Sequence, residues 1–412
     1  MTQGPAPSAT GPAGPGRAPR VSVIMANRNG ARWLAQAIGS VLGQSMPDLE
    51  LVVADDASTD DSRRIVAAMA ADDRRIRLLA LPAAGGAGAA RNAALAAARG
   101  DWLAIMDSDD MMHPDRIGRL LGAAADLGAD AVADDLLFFS TDPAAAGRTL
   151  LQGLNATGPL TLDAAMLLAS DGPDPRLPSF GYLKPLIRRA ALGALRYDTG
   201  LKIGEDFDLY LRLAAAGARL FVVPEPLYLY RRHAASLSHR LSAGAVAAIL
   251  AAHDRFAAAQ DGAGPLGPLL AARRRFLERM LRFQHLVAAL KSRRMLAAAR
   301  LLLADPALAA GLVQSLSDRR ARRRRADDAG VARIHLRGPG APLPGPAAGG
   351  GTVLDVPCRP SRVGHSAEPL APLAAHLSDL AARHRLEVTA EGEDARFFAA
   401  MVPPLPDRTG AA

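Results

Sequence analysis

Short apolar runs and longer segments of helical periodicity alternate along the first quarter of the chain. The short runs are rich in β-branched and aliphatic residues and predict strands at 21–25, 49–54, 76–81 and 102–106. Between them, apolar side chains recur at the spacing of a helix face and predict helices at 31–42, 62–71 and 88–99. Strands that alternate with helices are typical of βαβ units, so the sequence predicts an α/β fold with a mostly parallel sheet.

Acidic residues follow two of these predicted strands, at 55–56 and at 107–110 (Asp-Ser-Asp-Asp). Ligands of parallel sheets bind at the carboxyl ends of the strands. Carboxylates crowded at one place repel one another unless a cation lies among them, and Mg²⁺ or Mn²⁺ commonly binds one or two carboxylates together with substrate phosphates. The sequence therefore indicates a divalent cation and a phosphate-bearing substrate. The alternative is helix capping, with one helix starting near Ser58 and another opened by Pro114.

Composition restricts the class of protein. The chain has 412 residues, half of them hydrophobic, and no uninterrupted apolar run of the roughly 18 residues that span a bilayer. Its one cysteine, Cys358, rules out an internal disulfide framework and fits a reducing cytosol. The first 20 residues lack the apolar segment of a signal peptide and predict a disordered tail.

The chain is basic, with a formal net charge of +8 and a pI near 10.3. The densest cluster is the Arg-rich run at 319–325. Such a run forms either a solvated helix face or tail, or a contact with an anionic membrane surface. Nucleic acid is disfavoured as a partner because the chain has neither interleaved aromatic residues nor a nucleic-acid motif.

A Gly-rich segment at 82–88 precedes the predicted helix that carries Arg91 and Asn92. A dinucleotide fingerprint belongs after the first strand, where this chain has Asn27-Arg28-Asn29, so the likeness to that motif is weak. A Gly-rich approach to a helix N-terminus nevertheless suits phosphate.

The second half of the chain adds further candidates. A run at 129–139 predicts a strand, and 142–178 is interrupted by Gly and Pro, as loops that bind an acceptor can be. Glu205 and Asp206 open a predicted helix, where acids suit the helix dipole and where a carboxylate is also a candidate general base. Lys184 has two interpretations, a contact to phosphate or acceptor and an ordinary exposed lysine.

Helical periodicity returns after residue 240 and sets the predicted domain boundaries. Helices are predicted at 243–256, 266–290 and 295–303, ahead of a Pro/Gly linker at 338–351. The predicted organisation has four parts: a disordered tail (1–20), an α/β domain (21–240), a helical extension with the Arg-rich run (241–330), and the linker with a small or partly disordered appendage (331–412).

Six stretches, taken in order, resemble the inverting family 2 glycosyltransferases of GT-A fold. They are 21–25 (VSVIM), 52–60 (VVADDASTD), 90–92 (ARN), 106–110 (MDSDD), 204–213 (GEDFDLYLRL) and 227–233 (LYLYRRH). The segment 181–189 (GYLKPLIRR) further resembles enzymes that build bacterial exopolysaccharides of the succinoglycan type. The resemblance implies a GT-A domain over residues 21–240.

Each matched position carries an implied role. The resemblance assigns Asp56 to the nucleobase of a nucleotide-sugar, Arg91 to the nucleotide, Asp107 to the ribose or sugar, Asp109 to the metal that bridges the diphosphate, Asp206 to the general base, and His233 to the metal or diphosphate. The chain departs from the family after the first strand, where the aromatic residue that often stacks on the base is missing. Arg28 stands there instead and is able to stack through its guanidinium plane.

The implied function is an inverting, metal-dependent glycosyltransferase of exopolysaccharide synthesis. Its donor would be a nucleotide-sugar, a UDP-sugar first, and its acceptor a saccharide or lipid-linked saccharide, with the enzyme in the cytoplasm or peripheral at the inner membrane face. Two alternatives remain open. A sugar-phosphate nucleotidyltransferase would normally show a Gly-rich basic loop directly after the first strand, and a receiver-like regulatory module has no use for Glu205-Asp206.

Overall fold

The computed structural model describes residues 18–140, 149–172, 174, 176–232, 241–260 and 264–312, and beyond them the backbone of three strands. The first part of the chain alternates strands and helices as the sequence predicts. The elements are β1 (Val21–Asn27), α1 (Ala31–Leu42), β2 (Leu49–Asp55), α2 (Ser62–Asp72), β3 (Ile76–Ala80), α3 (Ala87–Ala97) and β4 (Trp102–Asp107).

The second part continues with shorter strands and then helices. These elements are β5 (Met111–Met112), α4 (Arg116–Asp126), β6 (Ala131–Ser140), β7 (Leu160–Thr161), α5 (Ala164–Ser170), β8 (Leu186–Arg188), α6 (Arg189–Leu192), α7 (Glu205–Ala215), β9 (Leu220–Arg232), α8 (Ala243–Ala258), α9 (Gly267–Lys291) and α10 (Met295–Ala304). The α/β class and the helical extension after the sheet are confirmed.

Within the described ranges, nine strands form one mixed sheet in the order β3-β2-β1-β4-β8-β6-β9-β5, with β7 also paired to β9. The pairs among β1 to β4 are parallel, as is the pair of β6 with β9. The strands β5, β7 and β8 pair antiparallel with their neighbours. The parallel half is the part that the alternating pattern predicts.

The central strands form the core because both of their faces are covered. Every residue of β2 is buried, and β1 and β4 are buried except near their ends, as parallel strands between helix layers require. The apolar stripe of α1 faces this core through Trp33, Leu34 and Ile38.

The strand register places the acidic segments at one edge of the sheet. Asn27 pairs with Asp55, and Ala26 pairs with Asp107, so β1, β2 and β4 end side by side. Neighbouring strands lie about 4.8 Å apart, so the ends of β2 and β4 are separated by about 10 Å.

The capping interpretation of both acidic segments is wrong. The N-cap position of α2 is Asp61, and α2 starts at Ser62. The N-cap position of α4 is Asp115, and β5 lies between that helix and residues 107–110.

Three further strands follow the helices: β10 (Gly330–Arg337), β11 (Thr352–Asp355) and β12 (His384–Glu391). They form a separate parallel sheet in the order β11-β10-β12. The sequence indicated either helix or partial disorder for most of this region.

None of the described helices is both long and apolar enough to cross a lipid bilayer. His233 and the Arg-rich run at 319–325 lie outside the described residues.

Candidate active site

The loops after β1 and β2 are joined by reciprocal hydrogen bonds. Asn29, at a φ of 51°, accepts from the Thr59 N–H at 2.8 Å through its Oδ1 atom. Its own N–H donates to Ser58 Oγ at 2.9 Å. The same arrangement places Arg28 Nη1 3.6 Å from Asp56 Oδ2. The Arg28 side chain stays half exposed, so its guanidinium plane is accessible to a ligand.

Asp56 is buried and holds the Gly-rich loop in place. Its Oδ1 accepts from the Gly85 N–H at 2.6 Å, and its Oδ2 accepts from the Gly86 N–H at 3.0 Å. These two amides are therefore engaged by Asp56, although the sequence suggested that such a loop suits phosphate. The contact of Asp56 with a nucleobase stays a prediction.

Four charged side chains form a closed ring at the carboxyl end of β4. Asp107 Oδ1 lies 2.6 Å from Arg91 Nη2, and Asp107 Oδ2 lies 3.0 Å from Lys184 Nζ. Asp206 Oδ2 lies 2.6 Å from Lys184 Nζ, and Asp206 Oδ1 lies 3.3 Å from Arg91 Nη1. Positive and negative groups thus alternate around the ring, which we call the charge ring and define by Arg91, Asp107, Lys184 and Asp206.

Glu205 adds a third carboxylate, because Arg91 Nη1 also donates to its Oε1 at 2.7 Å. The cluster then holds three carboxylates and two cations. Burial would raise the pKa of Asp107, but the charges of Lys184 and Arg91 hold it well below its usual value. Burial opposes the charged form of Lys184, yet Asp107 and Asp206 raise the pKa of its ammonium group well above the ordinary value. Burial and the charge of Asp206 raise the pKa of Glu205.

Three buried polar atoms beside the ring have no hydrogen-bond partner among the described residues: Asp206 Oδ1, Arg91 Nε and Tyr197 Oη. Buried polar atoms are normally satisfied, so an unsatisfied group calls for an explanation. The guanidinium of Arg91 lies 5.3 Å from the Tyr197 ring centroid, so all three atoms belong to one locality. Their hydrogen-bonding capacity is left unused by the described residues.

The end of β9 supports the acidic segment after β4. The Tyr228 O–H donates to Asp110 Oδ2 at 2.8 Å and its oxygen accepts from the Asp107 N–H at 3.1 Å. Asp110 Oδ1 accepts from the Arg231 N–H at 2.7 Å, and Arg231 Nε donates to the Asp109 carbonyl at 2.7 Å. Burial and the neighbouring charges of Asp109 and Asp107 raise the pKa of Asp110 well above its usual value. Asp110 therefore holds the segment after β4 against the end of β9.

Asp109 differs from Asp110 because its side chain is only partly buried. Among the described residues, no group of three or more His, Cys, Asp or Glu side chains is placed to hold a metal ion. A hard divalent cation commonly takes one or two protein carboxylates and completes its shell with substrate phosphate and water. Asp109 is suited to be such a carboxylate.

Several site residues were missed or misjudged from the sequence. Lys184 is buried and not an exposed surface lysine. Tyr228 and Arg231 lie in a motif that was noticed, but their contacts to residues 107–110 were not foreseen. The signal that singles out Lys184 is compositional, since only three of the 49 Lys and Arg residues are lysines.

Comparison with known proteins gives the following matches. The profile of Glycosyl transferase family 2 matches residues 22–166. The succinoglycan biosynthesis protein ExoO of Rhizobium meliloti (strain 1021) is 34% identical over 300 residues, which cover 70% of this chain and 83% of that protein. ExoU of the same organism is 35% identical over 227 residues, covering 53% and 65%.

Two solved structures also align with the chain. The mannosyltransferase PcManGT from Pyrobaculum calidifontis, in complex with GDP-Man and Mn²⁺, has a TM-score of 0.48 at 21% identity, covering 76% of this chain and 83% of that one. S. aureus TarS 1–349, in complex with UDP-GlcNAc, has a TM-score of 0.48 at 18% identity, covering 58% and 66%.

Proposed function

The chain belongs to glycosyl transferase family 2, and from this premise we propose that it transfers a sugar from a nucleoside diphosphate sugar to an acceptor hydroxyl with inversion at the anomeric carbon. The observation that carries the proposal is the charge ring. It brings Asp107, the carboxylate proposed to contact the donor, and Asp206, the proposed base, to within 3.0 Å of the same ammonium group, that of Lys184. Donor and acceptor would meet there.

Asp206 has the geometry of a general base for the acceptor. Its Oδ2 is held by Lys184, and its Oδ1 accepts no hydrogen bond from the described residues. The acceptor hydroxyl would give its proton to Oδ1 while its oxygen attacks the anomeric carbon from the face opposite the diphosphate. The bond between the anomeric carbon and the diphosphate oxygen breaks, and the nucleoside diphosphate leaves with the electron pair.

Charge balance supports a divalent cation at Asp109. The charge ring together with Glu205 already has one more carboxylate than cations, and Asp109 adds another negative charge. A donor diphosphate brings further negative charge to this edge of the sheet. A divalent cation supplies Lewis-acid stabilisation of the leaving diphosphate when bound. Asp109 would hold it, with His233 as a second candidate outside the described residues.

The proposed donor site extends from the charge ring to the loop after β1. Asp56 and Arg28 lie next to each other there, and Arg28 replaces the aromatic residue found in the family. We assign Asp56 and Arg28 to the nucleobase, Arg91 to the nucleotide, and Asp107 to the ribose or sugar. A UDP-sugar is the first donor to test.

The test is incubation of the full chain with a panel of nucleotide-sugars and Mn²⁺, with release of nucleoside diphosphate as the readout. Release that requires the cation and increases with a saccharide acceptor supports the proposal. In a parallel incubation with a sugar phosphate and a nucleoside triphosphate, formation of pyrophosphate would indicate a nucleotidyltransferase instead. A third incubation, with a small acyl phosphate, tests the regulatory module, which would take the phosphoryl group onto a carboxylate with release of the free acid and would show no turnover of the other two kinds.

The acceptor is proposed to be a growing saccharide, free or lipid-linked, of bacterial exopolysaccharide synthesis. The similarity to two succinoglycan biosynthesis proteins supports this assignment. A lipid-linked acceptor requires work at the cytoplasmic face of the membrane. The exposed face of α10 supports peripheral attachment, since Met295, Leu296 and Leu303 are 62%, 81% and 82% exposed.

Basic residues surround this apolar face, as an anionic lipid surface requires. Arg293, Arg294 and Arg300 are all exposed on or beside α10. Each basic side chain near an anionic surface contributes on the order of 1 kcal/mol, and salt weakens the attraction. The Arg-rich run at 319–325 follows in the sequence and would add to it.

Co-sedimentation with anionic liposomes at low and high salt tests the attachment. The double variant Leu296→Ser/Leu303→Ser, and a variant with the arginines of 319–325 changed to Gln, should each sediment less than the wild type. The matched control is Ala297→Ser/Ala304→Ser, at exposed positions of the same helix. Equal sedimentation of all forms, or none by any, would show that the protein does not use these surfaces.

A further inference from the structure

Lys184 lies at the centre of the proposed site, but the proposed mechanism gives it no role of its own in the reaction. Its ammonium group contacts Asp107 and Asp206 at 3.0 and 2.6 Å, and its side chain is 4% exposed. The chain uses arginine for nearly all of its cations and has three lysines in all. A lysine buried between two carboxylates of the site is therefore an unusual choice for this chain.

The backbone around Lys184 is fixed by two buried interactions. The carbonyl of Lys184 accepts a hydrogen bond from the guanidinium of Arg116, which is paired with Asp134, and both of these side chains are fully buried. The preceding carbonyl, that of Leu183, accepts from the Tyr210 O–H at 2.9 Å. These two hydrogen bonds hold the backbone at residues 183 and 184 in place, and this backbone positions the ammonium group in the charge ring.

A compact ammonium group suits this place better than a guanidinium. Arg91 already fills one side of the ring with its planar fork, which contacts Asp107, Glu205 and Asp206. An ammonium group is a point charge whose donors reach two separate carboxylates without a fixed plane. Lys184 therefore bridges Asp107 and Asp206 without adding a second planar fork to the ring.

We propose that Lys184 is a positioning residue for the base: it holds Asp206 by Oδ2 at 2.6 Å, so that Oδ1 is directed toward the acceptor, and it places a positive charge beside that carboxylate. This inference rests on the proposed function, because it concerns the same reaction. It goes further by assigning the orientation of the base, and the positive charge beside it, to one side chain.

The other charged groups around Asp206 come from three elements of the fold. Arg91 from α3 is the other cation that faces Asp206, while Asp107 from β4 and Glu205 from α7 are negative. Burial raises the pKa of Tyr197 and Tyr210 well above the usual value, so both phenols are neutral. Removal of Lys184 leaves one cation against three carboxylates. A carboxylate that loses a neighbouring cation binds protons more tightly.

The experiment compares Lys184→Met, Lys184→Arg, Asp206→Asn and the double variant Lys184→Met/Asp206→Asn. The matched control is Lys202→Met, at an exposed lysine three residues before α7. For Lys184→Met we expect kcat to fall by about tenfold or more and the acidic limb of the kcat/KM profile to move to higher pH. Lys184→Arg should leave the acidic limb near its wild-type position, because the charge is retained. In the Asp206→Asn background, Lys184→Met should cause no further loss, because the residue acts through the base.

Each outcome decides the proposal. A reduced kcat with an unmoved acidic limb in Lys184→Met would overturn it, as would losses that multiply in the double variant. Circular dichroism and urea unfolding establish that each variant is folded. If Lys184→Met does not fold, two other variants test the proposal. They are Lys184→Arg and the double variant Lys184→Met/Asp206→Asn, which loses one carboxylate along with the cation and so restores part of the charge balance. Absence of sugar transfer by the wild type would refute the proposed function. Transfer by the wild type, together with an unmoved acidic limb in Lys184→Met, would refute only the role of Lys184.

Discussion

The substitution Asp206→Asn separates the proposed base from its structural setting. Asn keeps the shape of the side chain, and its carbonyl oxygen is still able to accept from Lys184, but the group no longer takes a proton at neutral pH. We expect turnover to fall by about 10²-fold or more, which corresponds to about 2.7 kcal/mol of transition-state stabilisation. Donor affinity should be retained, because Asp107, Arg91 and Asp56 are unchanged.

The charge count of the site makes the stability of this variant informative. The charge ring and Glu205 contain three carboxylates and two cations, so Asp206→Asn leaves two of each. We expect a loss of about 1–3 kcal/mol, the usual range for weakening a buried hydrogen-bonded group. Lys184→Met leaves three carboxylates and one cation, and removing one partner of a buried ion pair costs about 3–5 kcal/mol. Urea unfolding should therefore rank Lys184→Met as the less stable of the two.

Three measurements check this reasoning: nucleoside diphosphate release under saturating donor, donor affinity by isothermal titration calorimetry, and the urea midpoint. Steady-state comparison gives the loss in kcat and in kcat/KM separately, which distinguishes lost chemistry from lost binding. A collapse of donor affinity with the fold intact would show that Asp206 binds the donor and is not the base. The reverse stability order would show that the carboxylates are not neutralised by the two cations in the way that the distances indicate.

Two further predictions address the metal and the pH dependence of stability. Asp109→Asn should lower cation-dependent donor binding and turnover together, by about tenfold or more. The control Asp101→Asn, at the exposed residue just before β4, should change neither. Unchanged turnover of Asp109→Asn, with the cation still required, would remove Asp109 from the site. Burial lowers the pKa of His113 to about 4, so its contribution to stability is complete above the unfolded value of 6.5 and is lost as the pH falls toward 4. Urea unfolding should show up to about 3 kcal/mol of this loss, and His113→Gln should flatten that part of the profile; an equal slope in both proteins would assign the acid sensitivity to other groups.

The sequence predicted the parallel half of the sheet well because its signals are local. The predicted helix at 31–42 coincides with α1. The predicted strands stopped at their last apolar residue, whereas β1, β2 and β4 continue to Asn27, Asp55 and Asp107. Their pairing extends through these polar ends because the neighbouring strand continues, which no pattern within one strand records.

The antiparallel half of the sheet was harder to predict from the sequence, for a physical reason. The strands β5, β7 and β8 have two, two and three residues, too few to show a period. The position of Lys184, which lies just before β8, depends on the pairing of β8 with β4. Asp56, Asp107 and Asp206 were chosen from acidic motifs, and the structure shows which cations surround them. Arg116 lies in none of the matched stretches, and the stretch that contains Lys184 gave no sign of its burial, because the burial of both side chains follows from tertiary packing.

The antiparallel direction of β8 is what joins the two sides of the proposed site. Ala104 of β4 pairs with Leu186 of β8, so the segment that enters β8 lies at the edge where β4 ends. Lys184 stands two residues before Leu186 and therefore reaches Asp107 at that edge. If β8 ran parallel to β4, its carboxyl end would lie at the site, and the segment before the strand, which contains Lys184, would lie at the opposite edge of the sheet. The reversal at β8 thus sets Lys184 between the strand that carries Asp107 and the helix that carries Asp206, and this explains how one ammonium group contacts both.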